Sequence, residues 1–307
     1  MDGSWKPRQV IEIFAGTAPG GGLDRTARTL AAALESLGTL DMPVRVVNVP
    51  GDGARKVWTA VDARAGDGHV LCISSPNLTT DYLTGATGFT HQNYTPLAIL
   101  YNEYIAFVVR SDSSYRDAAG LLARLRANAG AVTVALSTAM GNPNHIALAQ
   151  VVRHTGADVR APVIRVFDSA LDAVADVVAG NADVAAVTAA SAVHQLQAGT
   201  LRTLAVSAPE RLTGHYAQCP TWRELGVTCT LGAWRGVHGA PGLMPEQRAF
   251  WETALAAATR VPAWTEQLAR HYWTSMWIAG ATLHEHLAQE HSGMGGTLDA
   301  LGLKINK

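Results

Sequence analysis

The stretch Phe14–Arg28, FAGTAPGGGLDRTAR, joins two different periodicities. Before it, Val10, Ile11, Ile13 and Phe14 form a run too apolar to face water, the pattern of a buried strand. After it, Leu23, Ala27, Leu30, Leu34 and Leu37 recur every three or four residues, which is one helix face, until Gly38 stops the helix. The same alternation continues along the chain. VRVVNV, HVLCIS, AFVVR, VTVALS, VIRVF, DVAAV and LRTLAVS are short β-rich runs set between Ala/Leu segments of helical spacing. The expected fold class is therefore α/β, built on largely parallel sheet.

From about Tyr101 to Ser207 the alternation forms a self-contained block, whose helical segments AAGLLARLRANAG, NHIALAQVVRHTG and ALDAVADVVAGN end at Gly or Gly-Asn. From Pro241 onward the chain turns helical and aromatic, with no strand neighbours of its own, and is expected to pack back on the first sheet. That arrangement gives a discontinuous domain 1, residues 1–104 and 222–307, and an inserted domain 2, residues 105–221. Two crossovers join them, and two lobes joined in this way can hinge around a cleft.

Whole-chain properties exclude several functions. The chain has 307 residues, 48% of them hydrophobic, ample for a buried core. Lys plus Arg number 24 against 25 Asp plus Glu, so a net charge of −1 provides no broad attraction to nucleic acid or anionic lipid. No apolar run reaches the roughly 20 residues of a membrane span, and MDGSWKPRQ lacks the apolar core of a secretory signal. The chain is thus either cytosolic or written after removal of a leader. Three cysteines fit no zinc spacing; Cys72 reads as a small core hydrophobe, while Cys219 and Cys229 are close enough in sequence to leave a bridge open.

A glycine-rich turn at a helix start leaves backbone N–H groups unpaired at the positive end of the helix dipole, where anions bind. Thr17, Ala18, Pro19, Gly20 and Gly21 form such a turn, with a plain tight turn as the alternative. A phosphate loop needs a Lys after its glycines and a dinucleotide fold needs GxGxxG; GTAPGGG has neither. A companion loop follows VTVALS: Ser137, Thr138, Ala139, Met140 and Gly141, leading through His145 into a helix with Asn142 or Asn144 as N-cap and Pro143 in the first turn. Thr17-Ala18-Pro19-Gly20 and Thr138-Ala139-Met140-Gly141 echo one another at the carboxyl end of a strand, where open α/β sheets bind ligands. Ser75 and Asn77 follow HVLCIS and either line the site or form a turn. Phe167 and Asp168 follow VIRV, with Ser169 or Asp168 a helix cap, and Thr188 is a neutral hydrogen-bonding candidate. HEHLAQEH, 284–291, lacks HExxH spacing and reads as a solvated face, and no GxSxG elbow occurs. Catalysis would need His145 with a Ser, the enzymatic alternative.

Several segments resemble one family in order and spacing: AGTAPGGGLDRTARTLAAALE, PVRVVNVPGDGARK, YTPLAILYNEYIAFVVRSDSSYRD, GNADVAAVT, AGTLRTLAVSAPERL, CPTWRELGV, LGAWRGVHGAPGLMPEQ and the terminal LDALGL. They are similar to the substrate-binding receptors of tripartite tricarboxylate transporters, the TctC/Bug family. The resemblance implies a two-lobed periplasmic binding-protein fold, type II-like, that closes like a Venus flytrap on a small carboxylate. Di- and tricarboxylates and aromatic acids are the ligand classes implied, with delivery to integral-membrane permease subunits. It also implies a periplasmic monomer whose leader has been removed, without cofactor, metal or catalysis. Carried over by motif, the ligand loops are Thr17 to Gly21 and Ser137 to Gly141. Departures from the family pattern are STAMGNPNH in the second loop, Phe167-Asp168-Ser169 and Val187-Thr188. A ligand-sensing receptor for a signalling partner is a further alternative.

Overall fold

A computed structural model describes residues 5–305. The chain runs through β1 (Ile11–Ala15), α1 (Gly22–Ser36), β2 (Val44–Asn48), α2 (Lys56–Asp62), β3 (Val70–Ser74), α3 (Asn77–Leu83) and β4 (Thr95–Asn102). It continues with β5 (Ile105–Arg110), α4 (Ala118–Asn128), β6 (Thr133–Ser137), α5 (Pro143–His154), β7 (Val163–Phe167), α6 (Ala170–Val178), β8 (Val184–Thr188), α7 (Ala189–Gln197) and β9 (Leu201–Val206). The last part holds β10 (Arg235–Gly239), α8 (Pro245–Ala258), α9 (Pro262–Arg270), β11 (Thr274–Ala279) and α10 (Gly280–Ala300).

These elements form two compact units. Unit 1 comprises the chain up to Tyr82, Ala86–Asn102 and Trp234–His291; unit 2 comprises Leu83–Gly85, Glu103–Ala233 and the chain from Ser292. Unit 1 has a six-stranded sheet in the order β11-β4-β10-β3-β1-β2. Its β2, β1 and β3 are parallel, with Phe14 opposite Val47 on one side and Cys72 on the other, whereas β10 and β11 run antiparallel to their neighbours. Unit 2 has a five-stranded sheet, β7-β6-β8-β5-β9, in which β7, β6 and β8 pair in parallel and β5 runs antiparallel to both of its neighbours, β8 and β9. The sheets are mixed rather than largely parallel, because β5 and β10 each lie beside a point where the chain passes between units instead of following a βαβ crossover, whereas β9 follows β8 through α7 and runs in the same direction as β8.

Unit 1 is built as the apolar spacing of α1 predicts. Ala27, Leu30, Ala31 and Leu34 are buried in one cluster with Ile11, Ile13, Leu71 and Ile73 of the sheet and Trp251 and Trp264 of the later helices. Full burial of a leucine such as Leu30 or Leu34 stabilises by about 1.5–3 kcal/mol. The segment after Pro241 does pack on this sheet, but it also contributes a strand of its own, β11. Trp273, just before that strand, stacks on Tyr101 with ring centroids 4.1 Å apart. In unit 2, Phe107 meets Trp222 edge to face at 5.0 Å, within a cluster that also holds Val227 and Cys229.

That cluster explains where the division of the chain differs from the expected 221/222 boundary. Residues 222–233 belong to unit 2 because Trp222 and Cys229 are part of its core. The C-terminal segment from Ser292 also belongs there, not to domain 1. Leu298 and Met294 cluster with Leu83 and Ile146, and α10 therefore starts in unit 1 and ends in unit 2. Cys219 and Cys229 are free thiols rather than a bridge. The Cys229 Sγ lies 3.6 Å from the Ala147 carbonyl and the Cys219 Sγ 3.5 Å from that of Pro220, and burial pushes both thiols up to about 12. Among the described residues no helix is long and apolar enough to cross a membrane.

Candidate functional site

In unit 1, three adjacent parallel strands have their carboxyl ends side by side, so the loops after β1, β2 and β3 leave one edge of the sheet. The loop after β1 owes its shape to Asp24, in the first turn of α1. The Asp24 carboxylate is buried; it accepts from the Gly20 N–H at 2.8 Å, from Asn48 Nδ2 at 2.8 Å and from Arg28 Nε at 3.0 Å. Its own N–H donates to Thr17 Oγ1 at 3.1 Å, and Asn48 Nδ2 also donates to the Thr17 carbonyl at 2.8 Å. Burial alone would raise the Asp24 pKa, but the hydrogen bonds from Arg28, Gly20 and Asn48 outweigh it and hold the carboxyl below its ordinary value.

The loop's donors are therefore apportioned differently from the simple glycine cradle. The Gly20 N–H belongs to Asp24 and that of Gly21 to the Ala18 carbonyl at 3.0 Å. Among the described residues, the N–H groups of Ala18, Gly22 and Leu23 have no acceptor within the chain. Gly21 is required for close approach: a Cβ there would sit 2.7 Å from Thr17 Cβ and Oγ1. Ala18, Pro19 and Gly20 are exposed. Ser75 forms the turn that starts α3, its carbonyl accepting from the Leu78 N–H at 3.2 Å and its Oγ from the Asn77 N–H at 3.4 Å.

Unit 2 repeats the arrangement with β7, β6 and β8, whose carboxyl ends also align. Thr138 takes φ +67°, a left-handed conformation unusual for a β-branched residue. The Ala139 N–H closes a tight γ-turn onto the Ser137 carbonyl at 3.0 Å, and the Thr138 N–H donates to the Phe167 carbonyl at 2.7 Å. Asn142 is the N-cap of α5, accepting from the His145 N–H at 3.1 Å, while its amide donates to the Ser137 carbonyl at 2.6 Å. Asn144 donates to Ser137 Oγ at 3.0 Å. Met140 is exposed, and its N–H has no acceptor within the chain among the described residues. The cap of α6 is Ser169, which accepts from the Asp172 N–H at 3.1 Å; Asp168 is exposed beside it. Thr188 Oγ1 lies 3.0 Å from Ser191 Oγ at the start of α7.

His145 decides whether this loop can do proton chemistry. Its Nδ1 accepts from the Gly141 N–H at 3.0 Å, so Nδ1 is unprotonated and Nε2 carries the ring proton. A general base needs the reverse tautomer, with Nδ1–H held by an acid and Nε2 free to accept. Ser137 is bonded to Asn144 instead. Burial pushes the His145 pKa down to about 4, leaving a neutral ring whose Nε2–H can donate. Between the ordinary pKa of 6.5 and about 4 the unfolded chain binds a proton here that the folded chain does not. Stability from this group is complete above pH 6.5 and falls by about 1.4 kcal/mol per pH unit below it. His145→Gln is expected to flatten the pH 4–6.5 stability slope from urea titrations by about that amount. An unchanged slope would mean that the ring is already charged in the folded protein.

The His284 Nε2 lies 3.4 Å from an Arg248 nitrogen, and Glu290 accepts from Trp234 Nε1 at 2.6 Å. Among the described residues no group of three His, Cys, Asp or Glu side chains is arranged to hold a metal ion. Sequence reasoning missed Asp24 and Asn48, which shape the first loop, and Arg55 on the loop after β2. The available signal was weak: an acid in the first helical turn and a basic pair, Arg55-Lys56, after PGDGA.

With this geometry in hand, three comparisons bear on family and fold. The family model described as "Tripartite tricarboxylate transporter family receptor" matches residues 26–303. A protein from Pseudomonas sp. strain P51, described as a UPF0065 protein in the tcbD-tcbE intergenic region, is 28% identical over 208 residues. That match covers 67% of this chain and 60% of the relative's length. A TctC solute-binding protein from Polaromonas is 25% identical, with a TM-score of 0.71 over 95% of this chain and 99% of that one. Rhodopseudomonas palustris Rpa4515, solved with adipate, is 20% identical, with a TM-score of 0.84 over 96% and 98% of the two chains.

Proposed function

We propose, from the premise that this chain belongs to the tripartite tricarboxylate transporter receptor family, that it is a periplasmic solute receptor. It binds a small organic carboxylate through the backbone donors of its strand-to-helix loops and delivers it to the permease subunits of a tripartite transporter. The observation that carries the reading is the state of those loops: among the described residues each leaves at least one N–H group before or at a helix start without an acceptor. Ala18, Gly22 and Leu23 are the donors in unit 1, Met140 in unit 2. A carboxylate suits such donors because its oxygens only accept, and the positive end of the helix dipole favours its charge. The adipate held by Rpa4515 is an acid of this class.

The protein is further proposed to act as a monomer without turnover. The tautomer of His145 argues against the enzymatic alternative, since its Nε2 is already protonated. Native mass spectrometry of the purified protein, followed by calorimetry with di- and tricarboxylates and aromatic acids, tests the reading. A retained or titrated carboxylate with a one-to-one stoichiometry is expected. Stabilisation by a nucleotide, with none of the acids binding, would sink it.

A further inference from the structure

We infer that Arg55 is the residue by which unit 1 selects a ligand bearing a second carboxylate. The inference rests on the carboxylate-receptor reading above and adds to it a charged anchor that backbone donors alone do not supply.

The loop after β2 is held in an unusual conformation. Gly51, Asp52, Gly53 and Ala54 have successive φ values of 116°, 52°, 60° and 73°. Two of these residues, Asp52 and Ala54, are not glycine, and a left-handed conformation is unfavourable for an L-residue. Such a conformation persists when packing around it determines the path. Here Ala54 is set against the first ligand loop: a Cβ on Gly16 would lie 2.9 Å from both the Ala54 Cβ and its carbonyl oxygen. The next residue, Arg55, therefore leaves the backbone beside the loop whose Ala18, Gly22 and Leu23 donors are unfilled.

The guanidinium of Arg55 lies between two acids of unequal hold. Its Nη2 contacts Asp52 Oδ1 at 2.5 Å and its Nη1 lies 3.7 Å from Asp81 Oδ1. Asp52 is 55% exposed, so water screens this ion pair and competes for both partners. Asp81 on α3 is buried, which raises its pKa to about 7 against the pull of Arg55, so near neutrality it is only partly ionised. Lys56 is the other charged group of this loop, and it adds positive charge. The cation thus has one displaceable counter-ion and one incomplete one.

The position of the vacancy on the guanidinium is specific. Arg55 Nε is buried and has no acceptor among the described residues. Nε and Nη2 together form a fork that matches both oxygens of a carboxylate. An incoming carboxylate that displaces Asp52 into water would satisfy Nε and Nη2 at once, whereas Asp52 satisfies one of them. With the first carboxylate on the loop donors, the second is met by this fork. A monoacid of the same length gains nothing from it.

Calorimetry with diacids and matched monoacids tests this: succinate with butyrate, adipate with hexanoate, and phthalate with benzoate. Wild-type protein is expected to prefer at least one diacid over its monoacid. In Arg55→Met that diacid should weaken on the order of 10- to 100-fold while the monoacid changes less than about 3-fold. Asp52→Asn, an exposed substitution that removes the competing carboxylate, should tighten the diacid several-fold. Unchanged diacid affinity in Arg55→Met, equal weakening of both acids, or an Asp52→Asn variant that fails to tighten would each overturn the inference. Wild-type protein that binds monoacids alone overturns it while sparing the carboxylate reading; binding of no acid overturns both.

Discussion

Replacing Asp24 by alanine is expected to destabilise the protein by about 3 kcal/mol and to weaken carboxylate binding on the order of 100-fold or more. The carboxylate is 2% exposed and has three kinds of donor: the Gly20 N–H, the Asn48 amide and the Arg28 guanidinium. Removing it strands two of them in a part-buried setting, and each stranded donor costs about 1–3 kcal/mol. Arg28 is 56% exposed and can return to water, which keeps the total below that of a fully buried pair. The effect on binding is the larger one. Without the Asp24 carboxylate, the Gly20 N–H and the Asn48 amide lose the acceptor they share, and the Ala18, Gly22 and Leu23 donors are no longer held ready. Preorganised donors are what make a site of this kind tight.

Asp24→Asn provides the control, since its shape is retained but its amide can only oppose one of the existing donors with another. An intermediate loss is expected. Urea titration and calorimetry measure both quantities, and an alanine variant within 0.5 kcal/mol of wild type, roughly the spread of ordinary surface changes, with unaltered affinity would refute the role. The sign of the pH effect follows from the lowered carboxyl pKa. Stability from Asp24 is present above the unfolded carboxyl's value near 4 and is lost as pH falls through its lower folded value.

Gly141→Val is expected to destabilise by about 3–4 kcal/mol. Gly141 has φ +82°, where a β-branched residue is strongly disfavoured. Space is also lacking: a Cβ would lie 2.9 Å from Leu298 Cδ2 and 3.1 Å from Thr84 Cγ2. Leu298 is fully buried with Leu83, Ile146 and Met294, so it has little freedom to move aside. The variant would also tilt the N–H that sets the His145 tautomer. Gly141→Ala should show about half the loss, from backbone strain and one close contact. Denaturant unfolding gives the magnitude, and hydrogen exchange should locate the loosening at the start of α5 and the end of α10. A valine variant as stable as wild type would mean that the loop can adopt another path.

Much of this protein is legible locally. The strand and helix of 10–37 follow from apolar spacing, because burying one face of a short element is decided by its own residues. The loops at 17–21 and 137–141 are legible for the same reason: glycine and a following helix create unpaired donors whatever the rest of the fold does. Asn142, one of two expected caps of α5, and Ser169, one of two expected caps of α6, are seen as such. β10 and β11 escaped a local reading. RGVHG and TSMWIA are short, and their apolar content is modest until β3 and β4 are supplied as neighbours.

Sequence by itself determined the α/β class, the placing of two loops at strand ends and, through motifs spread over nearly the whole chain, the receptor family. Tertiary structure alone decided which donors those loops keep. Gly20 answers to Asp24, which is braced in turn by Asn48 from the neighbouring strand; His145 takes its tautomer from Gly141; Arg55 lies between Asp52 of its own loop and Asp81 of α3. A residue type states what hydrogen bonds and charges are possible, and only the fold states which of them are already satisfied.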